Sequence, residues 1–247
     1  MNTPQNRRVI NCPLCGGVIL VQKAQDLYSE QFPTKGERET ESSVKTDNDF
    51  VTFGTYQQTP DKAPLEWEVL DVQADKALLM SKYALSYRSF AEKQLIGYQH
   101  NTWASSDLRV WLNSVFLKRA FLEEERALIV NTSVTTEPNP TYKTDPGPAV
   151  DSKIFLLSIQ EVNKYLKTAK SRKCLPTAAA KKELSLSCVF HPDTFRMAKG
   201  CSMWWLRSPG TDRNHTACIS YTGSVNLNGH FPHSKDYAVR PVLWIKL

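Results

Sequence analysis

Alternating apolar and polar residues at the start of the dense part of the chain predict three short strands. The segments are VTFGTYQ, LEWEVLDV and ALLMSK, and the last two flank the turn Ala74-Asp75-Lys76. Trp67 and Val69 alternate with Glu66 and Glu68, which is the period of a strand with one buried face. Strands joined by such short turns usually pair with their neighbours, so we expect an antiparallel meander.

Helical periodicity is clearest in the segment SSDLRVWLNSVFLKRAF, residues 105–121. Ser105 or Ser106 can cap its N-terminus, and Asp107 suits the positive end of the helix dipole. A second short helix is predicted over LEEERALIV, and the turn-rich loop TEPNPTYKTDPGP follows it. The residues predicted to face the core recur at helical spacing: Leu108, Trp111, Leu112, Val115 and Phe116.

In the middle of the chain, the run IFLLS predicts a buried strand. The next residues, Ser158-Ile159-Gln160-Glu161, fit a capping box, in which the serine and the glutamate satisfy each other's backbone amides. They predict a helix that buries Ile159, Val162, Tyr165 and Leu166. From there to about Gly200 we expect irregular, basic chain.

The last part of the chain has the pattern of an all-β segment. WWLRSPG predicts a strand that ends in a turn, and TACISYTGSVNLNG predicts a hairpin around Thr222-Gly223. Alternation predicts that Ala217 and Ile219 enter the core while Cys218 and Ser220 lie on a polar outer face. AVRPVLWIKL is predicted to close the chain as one strand that tolerates Pro241.

Composition divides the chain into three parts: a leader over residues 1–33, a polar linker over 34–49 and a folded domain over 50–247. The linker has no aromatic residue and one apolar residue, Val44, so it cannot bury enough surface to offset its ordering entropy. The chain as a whole is 41% hydrophobic, as globular proteins are. It has no apolar run that could span a membrane and no signal-peptide pattern, so we expect no membrane partner and a cytoplasmic or virion-associated protein.

Charge gives little evidence for a nucleic-acid partner. The net charge is +6, and one basic cluster stands out. We interpret the cluster as a solvated surface, because few aromatic residues that could stack on bases are interspersed in it. Its members are Lys164, Lys167, Lys170, Arg172, Lys173, Lys181 and Lys182.

The cysteines raise the question of a metal. Cys12 and Cys15 form half of a zinc knuckle, C-x-x-C-G-G, whereas a structural zinc site needs four ligands. Zinc at Cys12 and Cys15 therefore requires ligands from a second chain or from distant residues. The triplet Glu137-Pro138-Asn139 has the letters of a lectin calcium motif, but the acidic element that should follow it is absent, so we interpret it as coincidence.

Several segments together resemble a known but uncharacterised bacterial (Firmicutes-type) domain family. They are TFGTY, EWEVL, LLMS, TW-x-SSDLR-x-WLN, DSKIFLLS, WWLRSPG, TGSV and the terminal VRPVLW. WWLRSPG followed by a terminal VRPAL-like strand is the specific part. The pattern is also similar to the formylglycine-generating-enzyme branch of the C-type-lectin-like fold. That resemblance implies an α+β fold with a twisted antiparallel sheet, two or three helices, and paired N- and C-terminal strands.

The chain further resembles the variable proteins of diversity-generating retroelements, whose C-terminal codons are rewritten by adenine-directed mutagenesis. The resemblance implies that Gly223, Val225 and the VRP strand form a frame and that polar residues around them are displayed. Residue chemistry predicts a structural role for Trp204, Trp205, Arg207 and Arg240, because large aromatic rings anchor a core and an arginine in an apolar strand needs a partner. Each arginine should pair with a carboxylate or backbone carbonyls. The predicted ligand-binding residues are Asn214, His215, Tyr221, Ser224, Asn226, Asn228, His230, Phe231, His233, Ser234 and Asp236.

Three functions follow as hypotheses. The leading one is a module that binds a protein or glycan through the C-terminal hairpin and its loops, with no catalytic residue. The second is an enzyme of the formylglycine-generating type that uses Cys201 or Cys218. The third is an adaptor tethered by zinc at Cys12 and Cys15. The oligomeric state stays open.

Overall fold

Two five-stranded sheets carry the fold. The computed structural model describes residues 8–11, 18–21, 50–58, 61–92, 101–187 and 200–247, the first two ranges by their backbone alone. The strands in chain order are β1 (Arg8–Asn11), β2 (Val18–Val21), β3 (Phe50–Gln57), β4 (Lys62–Val72), β5 (Lys76–Ser81), β6 (Ser86–Tyr87), β7 (Thr132–Val134), β8 (Val150–Ser152), β9 (Ile154–Phe155), β10 (Trp204–Pro209), β11 (Thr216–Ile219), β12 (Val225–His230), β13 (Ala238–Val239) and β14 (Val242–Lys246).

Helices lie between the strands and form a mixed α+β fold. The α-helices are α1 (Asp107–Trp111), α2 (Leu117–Ala120), α3 (Glu123–Leu128), α4 (Ile159–Tyr165), α5 (Ala169–Arg172) and α6 (Ala178–Ser187). A π-helical segment, Leu112–Phe116, joins α1 to α2. This is more helix than the two or three that the resemblance implies. In the described part of the chain, no helix combines the length and the hydropathy of a transmembrane span.

The first sheet, called here the meander sheet, has the order β3-β4-β5-β14-β9 and is antiparallel throughout. Its first three strands are the predicted meander. The second sheet, called the hairpin sheet, has the order β12-β11-β10-β13-β6. In the hairpin sheet β10 and β13 run parallel and the other pairs are antiparallel. A small pair, β7-β8, and the antiparallel pair β1-β2 complete the strands.

The single closing strand predicted from AVRPVLWIKL is two strands. The chain leaves the hairpin sheet after β13 and enters the meander sheet as β14, with Arg240 and Pro241 between them. The expected pairing of first and last strands of the domain is also wrong, because β14 pairs with β5 and β9 while β3 is an edge strand. Pro241 lies at the crossover, where its missing amide costs no ladder bond, and its carbonyl accepts from the Ser81 amide at 2.9 Å.

Arg240 ties the two sheets together at this crossover. Its side chain is 1% exposed; Nε donates to the Ser81 carbonyl at 2.7 Å, and Nη2 donates to Glu68 Oε1 at 3.0 Å. The guanidinium also lies 5.4 Å from the ring centroid of Trp204 on β10. Residues of β4, β5 and β10 thus meet on one cation. Two of the three guanidinium nitrogens are thus bonded, to a carbonyl and to a carboxylate, whereas Nη1 is buried without a hydrogen-bond partner among the described residues.

Arg207 makes the second buried junction, between β10 and α4. Both terminal nitrogens donate to the Glu161 carboxylate, and Nη1 also donates to the Leu156 carbonyl at 2.6 Å. The same carboxylate accepts the Ser158 amide at 2.8 Å, so the predicted capping box is present. Glu161 therefore caps its own helix and neutralises the arginine that anchors β10 against that helix.

The helix predicted over residues 105–121 forms, but its phase changes along its length. Ser106 is the N-cap and accepts from the Arg109 amide at 3.1 Å. Leu108, Leu112 and Phe116 are buried, whereas Val115 is exposed, contrary to the predicted face. The π-helical segment between α1 and α2 has more residues per turn than an α-helix, so a residue seven positions after Leu108 has not completed two turns and no longer faces the core.

The prediction of irregular chain up to Gly200 is wrong in part, because α6 lies in this stretch. Thr177 Oγ1 accepts from the Ala180 amide at 3.2 Å and so caps the helix. Three alanines follow that cap, and alanine has the highest helix propensity. The cap and the alanines favoured a helix locally, but the basic composition of the segment led to its interpretation as irregular chain.

We predict that Arg207→Met destabilises the protein by about 3 kcal/mol, because it leaves Glu161 and two carbonyls without their buried partner. The matched control is Lys164→Met, which breaks the exposed contact of Lys164 with Asp71 at 3.5 Å. The control should cost at most about 1 kcal/mol. Urea denaturation of both variants measures the two losses, and equal losses would contradict the role given to Arg207.

Candidate functional site

A stack of aromatic rings forms the floor of the C-terminal surface. Trp205 stacks on Tyr237 with ring centroids 4.1 Å apart. The ring centroid of Phe90 lies 6.1 Å from that of Trp205, in an edge-on arrangement. Trp205 Nε1 donates to the Arg88 carbonyl at 2.8 Å. All three rings are buried. The loops above them therefore stand on a base whose side chains are fixed by packing and by one directional bond.

Three imidazoles surround one exposed phenyl ring on this base. The ring centroid of Phe231 lies 4.8 Å from that of His215, 5.6 Å from His230 and 5.7 Å from His233. His230 also packs against Tyr237, with centroids 5.1 Å apart. We call these four residues, His215, His230, Phe231 and His233, the histidine cluster. Phe231 remains 43% exposed although it touches three rings, so it is available to a partner.

The histidines of the cluster lie in different electrostatic environments. His215 Nδ1 lies 2.8 Å from Asp212 Oδ1. Slight burial raises the pKa of Asp212, but the contact with His215 and the Asn214 amide lowers it by more, so that carboxyl stays ionised. Burial lowers the pKa of His230, and the neighbouring imidazoles of His215 and His233 lower it further. His230 is therefore neutral over a wider pH range than an ordinary histidine.

The tip of the hairpin carries a second group of polar side chains. The hydroxyls of Ser220, Thr222 and Ser224 contact one another at 2.7 and 3.0 Å. Gly223 has a φ of +86°, and a Cβ there would lie 2.0 Å from the Ala169 carbonyl oxygen of α5. Arg172 Nε donates to the Gly223 carbonyl at 2.6 Å. The tip is thus held down on α5, and only glycine fits this turn.

The loop over residues 135–149 closes the outer edge of the hairpin sheet. Asn139, fully buried, donates through Nδ2 to the carbonyls of Pro209, Gly210 and Leu227 at 3.0, 3.2 and 2.9 Å. Its Oδ1 accepts from the amides of Thr141 and Tyr142 at 3.0 and 3.1 Å. Because its amide group is fully occupied, Asn139 has no free ligand atom for calcium, and the Glu-Pro-Asn triplet has a structural role.

Tyr142 is a surface residue that the sequence interpretation missed. Its ring is 42% exposed, and its hydroxyl donates to Asn228 Oδ1. An aromatic residue in a loop with four prolines was the available signal, but nothing local indicated that the loop packs beside β12. Tyr142 extends the candidate surface beyond the C-terminal residues.

The predicted binding residues are all at least partly exposed, but they do not form one group. His215, His230, Phe231 and His233 come together in the cluster, whereas Tyr221 and Ser224 lie at the hairpin tip. The five residue steps of β12 place these two groups roughly 16 Å apart, at about 3.3 Å per residue. The remaining five are spread between them and along the flanking loops: Asn214, Asn226, Asn228, Ser234 and Asp236.

One face of β11 contradicts the predicted alternation. Cys218 is 1% exposed, not on an open polar face, because Tyr237 and Asn226 cover it and hydrogen-bond its sulfur. Burial raises the pKa of the Cys218 thiol to about 12. The alternating pattern could not reveal the burial of Cys218, since Tyr237 lies nineteen positions away in the chain. A thiol in this state is not a nucleophile near neutral pH.

The other free cysteines of the described ranges differ from each other. Cys174 is buried, and burial raises the pKa of its thiol to about 11. Cys201 is partly exposed. Among the residues that the structure describes, no three His, Cys, Asp or Glu side chains are grouped to hold a metal ion. Cys12 and Cys15, the candidate zinc ligands, lie outside the described residues.

Trp204 and Trp205 are fully buried, and Arg207 and Arg240 make the buried junctions described above. The four residues therefore support the surface from below. They are not available to contact a ligand from solvent.

Among known protein families, the chain matches a model described as a domain of unknown function, DUF6273, over residues 74–247. No curated protein and no solved structure matches the chain. The match agrees with the predicted uncharacterised domain family. It begins at the turn between β4 and β5, although the meander sheet extends further back through β4 to β3.

We predict that iodoacetamide at pH 7.5 modifies Cys218 and Cys174 at least about 100-fold more slowly in the folded protein than in urea, because both thiols are buried and protonated. Cys201 should react faster than either. Peptide mass spectrometry reads each site separately, and the urea-unfolded chain is the control. Rapid labelling of Cys218 in the folded protein would contradict its burial and revive it as a candidate nucleophile.

Proposed function

The chain belongs to the DUF6273 family, and from this premise we propose that it is a ligand-binding module that uses the histidine cluster and the loops beside it. The observation that carries the proposal is the exposed ring of Phe231, framed by three imidazoles above a buried aromatic floor. Exposure alone does not distinguish Phe231, since Leu122 is more exposed, but Phe231 is an aromatic ring held in place by its neighbours, and such rings supply contact area at a low entropy cost.

The physical case rests on preorganisation. Binding costs entropy when side chains must be ordered, and that cost is small where they are already held. Phe231 is packed between rings, Asn228 accepts from Tyr142, and the hairpin tip is bonded to α5. Aromatic rings supply contact area, and the asparagine and histidine side chains supply adaptable hydrogen bonds, the combination that antibody contact surfaces use.

The finer proposal is that the domain has the C-type-lectin-like fold of the formylglycine-generating-enzyme branch and is a variable protein of a diversity-generating retroelement. It is supported by the split between displayed and supporting residues. The candidate binding residues all have exposed surface, whereas Gly223, Trp204 and Arg240 are buried in the frame. Replacing a displayed side chain would leave that frame intact. The partner would be a protein or a glycan.

The two alternatives have less support. A formylglycine-generating-type enzyme would have to rely on Cys201, since Cys218 is buried with a raised pKa. An adaptor held by zinc at Cys12 and Cys15 would depend on residues outside the described ranges. The pair β1-β2 flanks those cysteines in sequence, which is the arrangement of a hairpin that bears a knuckle, and zinc analysis of the purified chain tests it.

We expect Phe231→Ala to weaken binding at least about 10-fold, because it removes the exposed ring at the centre of the surface. The probes are a phage-displayed peptide library and a glycan array, and every hit is titrated against the purified wild type and the variant. The matched control is Leu122→Ala, which removes another exposed apolar side chain, 62% exposed, at the start of α3.

The control should bind every hit as the wild type does. Two results would contradict the proposal: no probe of either class binds, or Phe231→Ala and Leu122→Ala bind equally well. The two probe classes separate a protein partner from a glycan partner.

The retroelement proposal has a test of its own in the surrounding DNA. We expect a near-copy of the 3′ coding end beside a reverse-transcriptase gene. The mismatches between the copies should fall at adenines and in the codons of the displayed residues, such as Asn226 and Asn228, while the codon of Gly223 stays unchanged. Absence of any such copy would reject the retroelement role and leave the binding proposal standing.

A further inference from the structure

We propose that the histidine cluster is a pH-operated latch: neutral imidazoles close the loops onto Phe231, and protonation of His230 opens them. The proposal rests on the proposed function, because the surface that opens is the proposed binding surface. Binding through that surface would then be favoured at neutral pH and lost on acidification.

The first support is the position of His230 among the other rings. Its imidazole contacts Phe231 and Tyr237, and the imidazoles of His215 and His233 flank the same phenyl ring. Protonation of His230 therefore places a positive charge beside the rings of Phe231 and Tyr237 and next to two further imidazoles. Like charges at such distances repel, and partial burial reduces the screening by water.

The second support is a missing acceptor. His230 Nδ1 is buried and has no hydrogen-bond partner among the described residues. A neutral ring with its proton on Nε2 leaves only a lone pair there. The protonated ring must place an N–H donor at the same position, where the closed loops form no hydrogen bond with it. The backbone of Phe231 favours the charged ring, but burial lowers the pKa of His230 by more. The neutral ring fits the closed loops better than the charged ring does.

The charged groups around His230 come from two loops and from its own sheet. The loop before β11 contributes Asp212 and His215, which contact each other, and the exposed Arg213. The segment after β12 contributes His233, Lys235, Asp236 and the hydroxyl of Tyr237. Strand β11 contributes the buried Cys218 thiol, which contacts that tyrosine. The backbone of Phe231 and the carboxylate of Asp236 favour protonation of His230, and burial together with the two imidazoles outweighs them.

The third support is the way the segment over residues 231–236 is attached. The Ala91 amide donates to the Pro232 carbonyl at 3.0 Å, and the Arg88 amide donates to the Tyr237 carbonyl at 3.2 Å. Within the segment, the Ser234 amide donates to the Phe231 carbonyl at 3.0 Å. Tyr237 is fixed in the aromatic floor, so it is the end of the loop that stays in place. At the other end the bond from Ala91 holds the backbone at Pro232, and ring packing in the cluster holds the side chain of Phe231. Loss of that packing frees the phenyl ring and the residues between Pro232 and Tyr237.

The direction of the pH effect follows from the lowered pKa of His230. His230 binds a proton less readily in the closed state than in the open state, in which its imidazole has the ordinary pKa of about 6.5. Closure is therefore complete above that pH and weakens as the pH falls below it. The change continues down to the lower pKa of the closed state.

Hydrogen–deuterium exchange tests the latch without any ligand. We expect the protection of amides in residues 228–236, corrected for intrinsic exchange rates, to fall more than about 2-fold between pH 7.5 and pH 5.0. Amides of β4 and β5 should keep their protection and serve as the internal control. His230→Phe, which keeps a ring but cannot be protonated, should reduce the loss of protection to less than about 2-fold. His230→Gln should do the same if the phenyl variant folds poorly.

Histidine resonances in an NMR titration give the second readout. Loop opening should follow the titration of His230 and have the same midpoint. The latch is rejected if wild-type protection does not change, or if both His230 variants lose protection as the wild type does. Because no ligand is present, this result is independent of the array experiment. A flat exchange profile with binding lost in Phe231→Ala would reject the latch alone.

Discussion

The buried contact of Arg240 with Glu68 and the Ser81 carbonyl is the constraint on which the two-sheet arrangement depends. β13 belongs to one sheet and β14 to the other, and Arg240 and Pro241 are the whole connection between them. A guanidinium at that point can bond to several groups in different directions, which an apolar side chain could not do. Trp204 packs against the cation from β10, so the strand that also carries Trp205 of the aromatic floor contacts the same residue that joins the sheets.

Local features were predictable because the residues that define them are close in the sequence. The capping box of Ser158 and Glu161, the cap at Ser106 and the meander all depend on residues a few positions apart. The pairing of each buried arginine with a carboxylate was expected on chemical grounds, but the sequence did not say which carboxylate. Glu161 lies 46 positions from Arg207, and Glu68 lies 172 positions from Arg240.

What could not be predicted depends on residues that meet only in the folded chain. Cys218 alternates like a surface residue, yet Tyr237 covers it. Val115 has the spacing of a core residue, yet the π-helical turn rotates it outward. For the candidate surface, the residue types were predictable, but the gathering of three imidazoles on Phe231 was not. Two loops and the end of β12 bring those rings together. The spacing of these residues along the sequence does not predict that their rings are in contact.

The single amide of Asn139 has a consequence for how this protein behaves in a crowded solution. β12 is the outermost strand of its sheet, and exposed strands of that kind recruit strands from other molecules. Here the Leu227 carbonyl is bonded to Asn139, and the Asn228 carbonyl accepts from the Thr211 amide at 2.8 Å. Copies of the chain are thereby discouraged from stacking into fibrils through β12, whatever side chains that strand comes to carry. This protection resides in backbone carbonyls and therefore does not depend on the side chains that the strand displays.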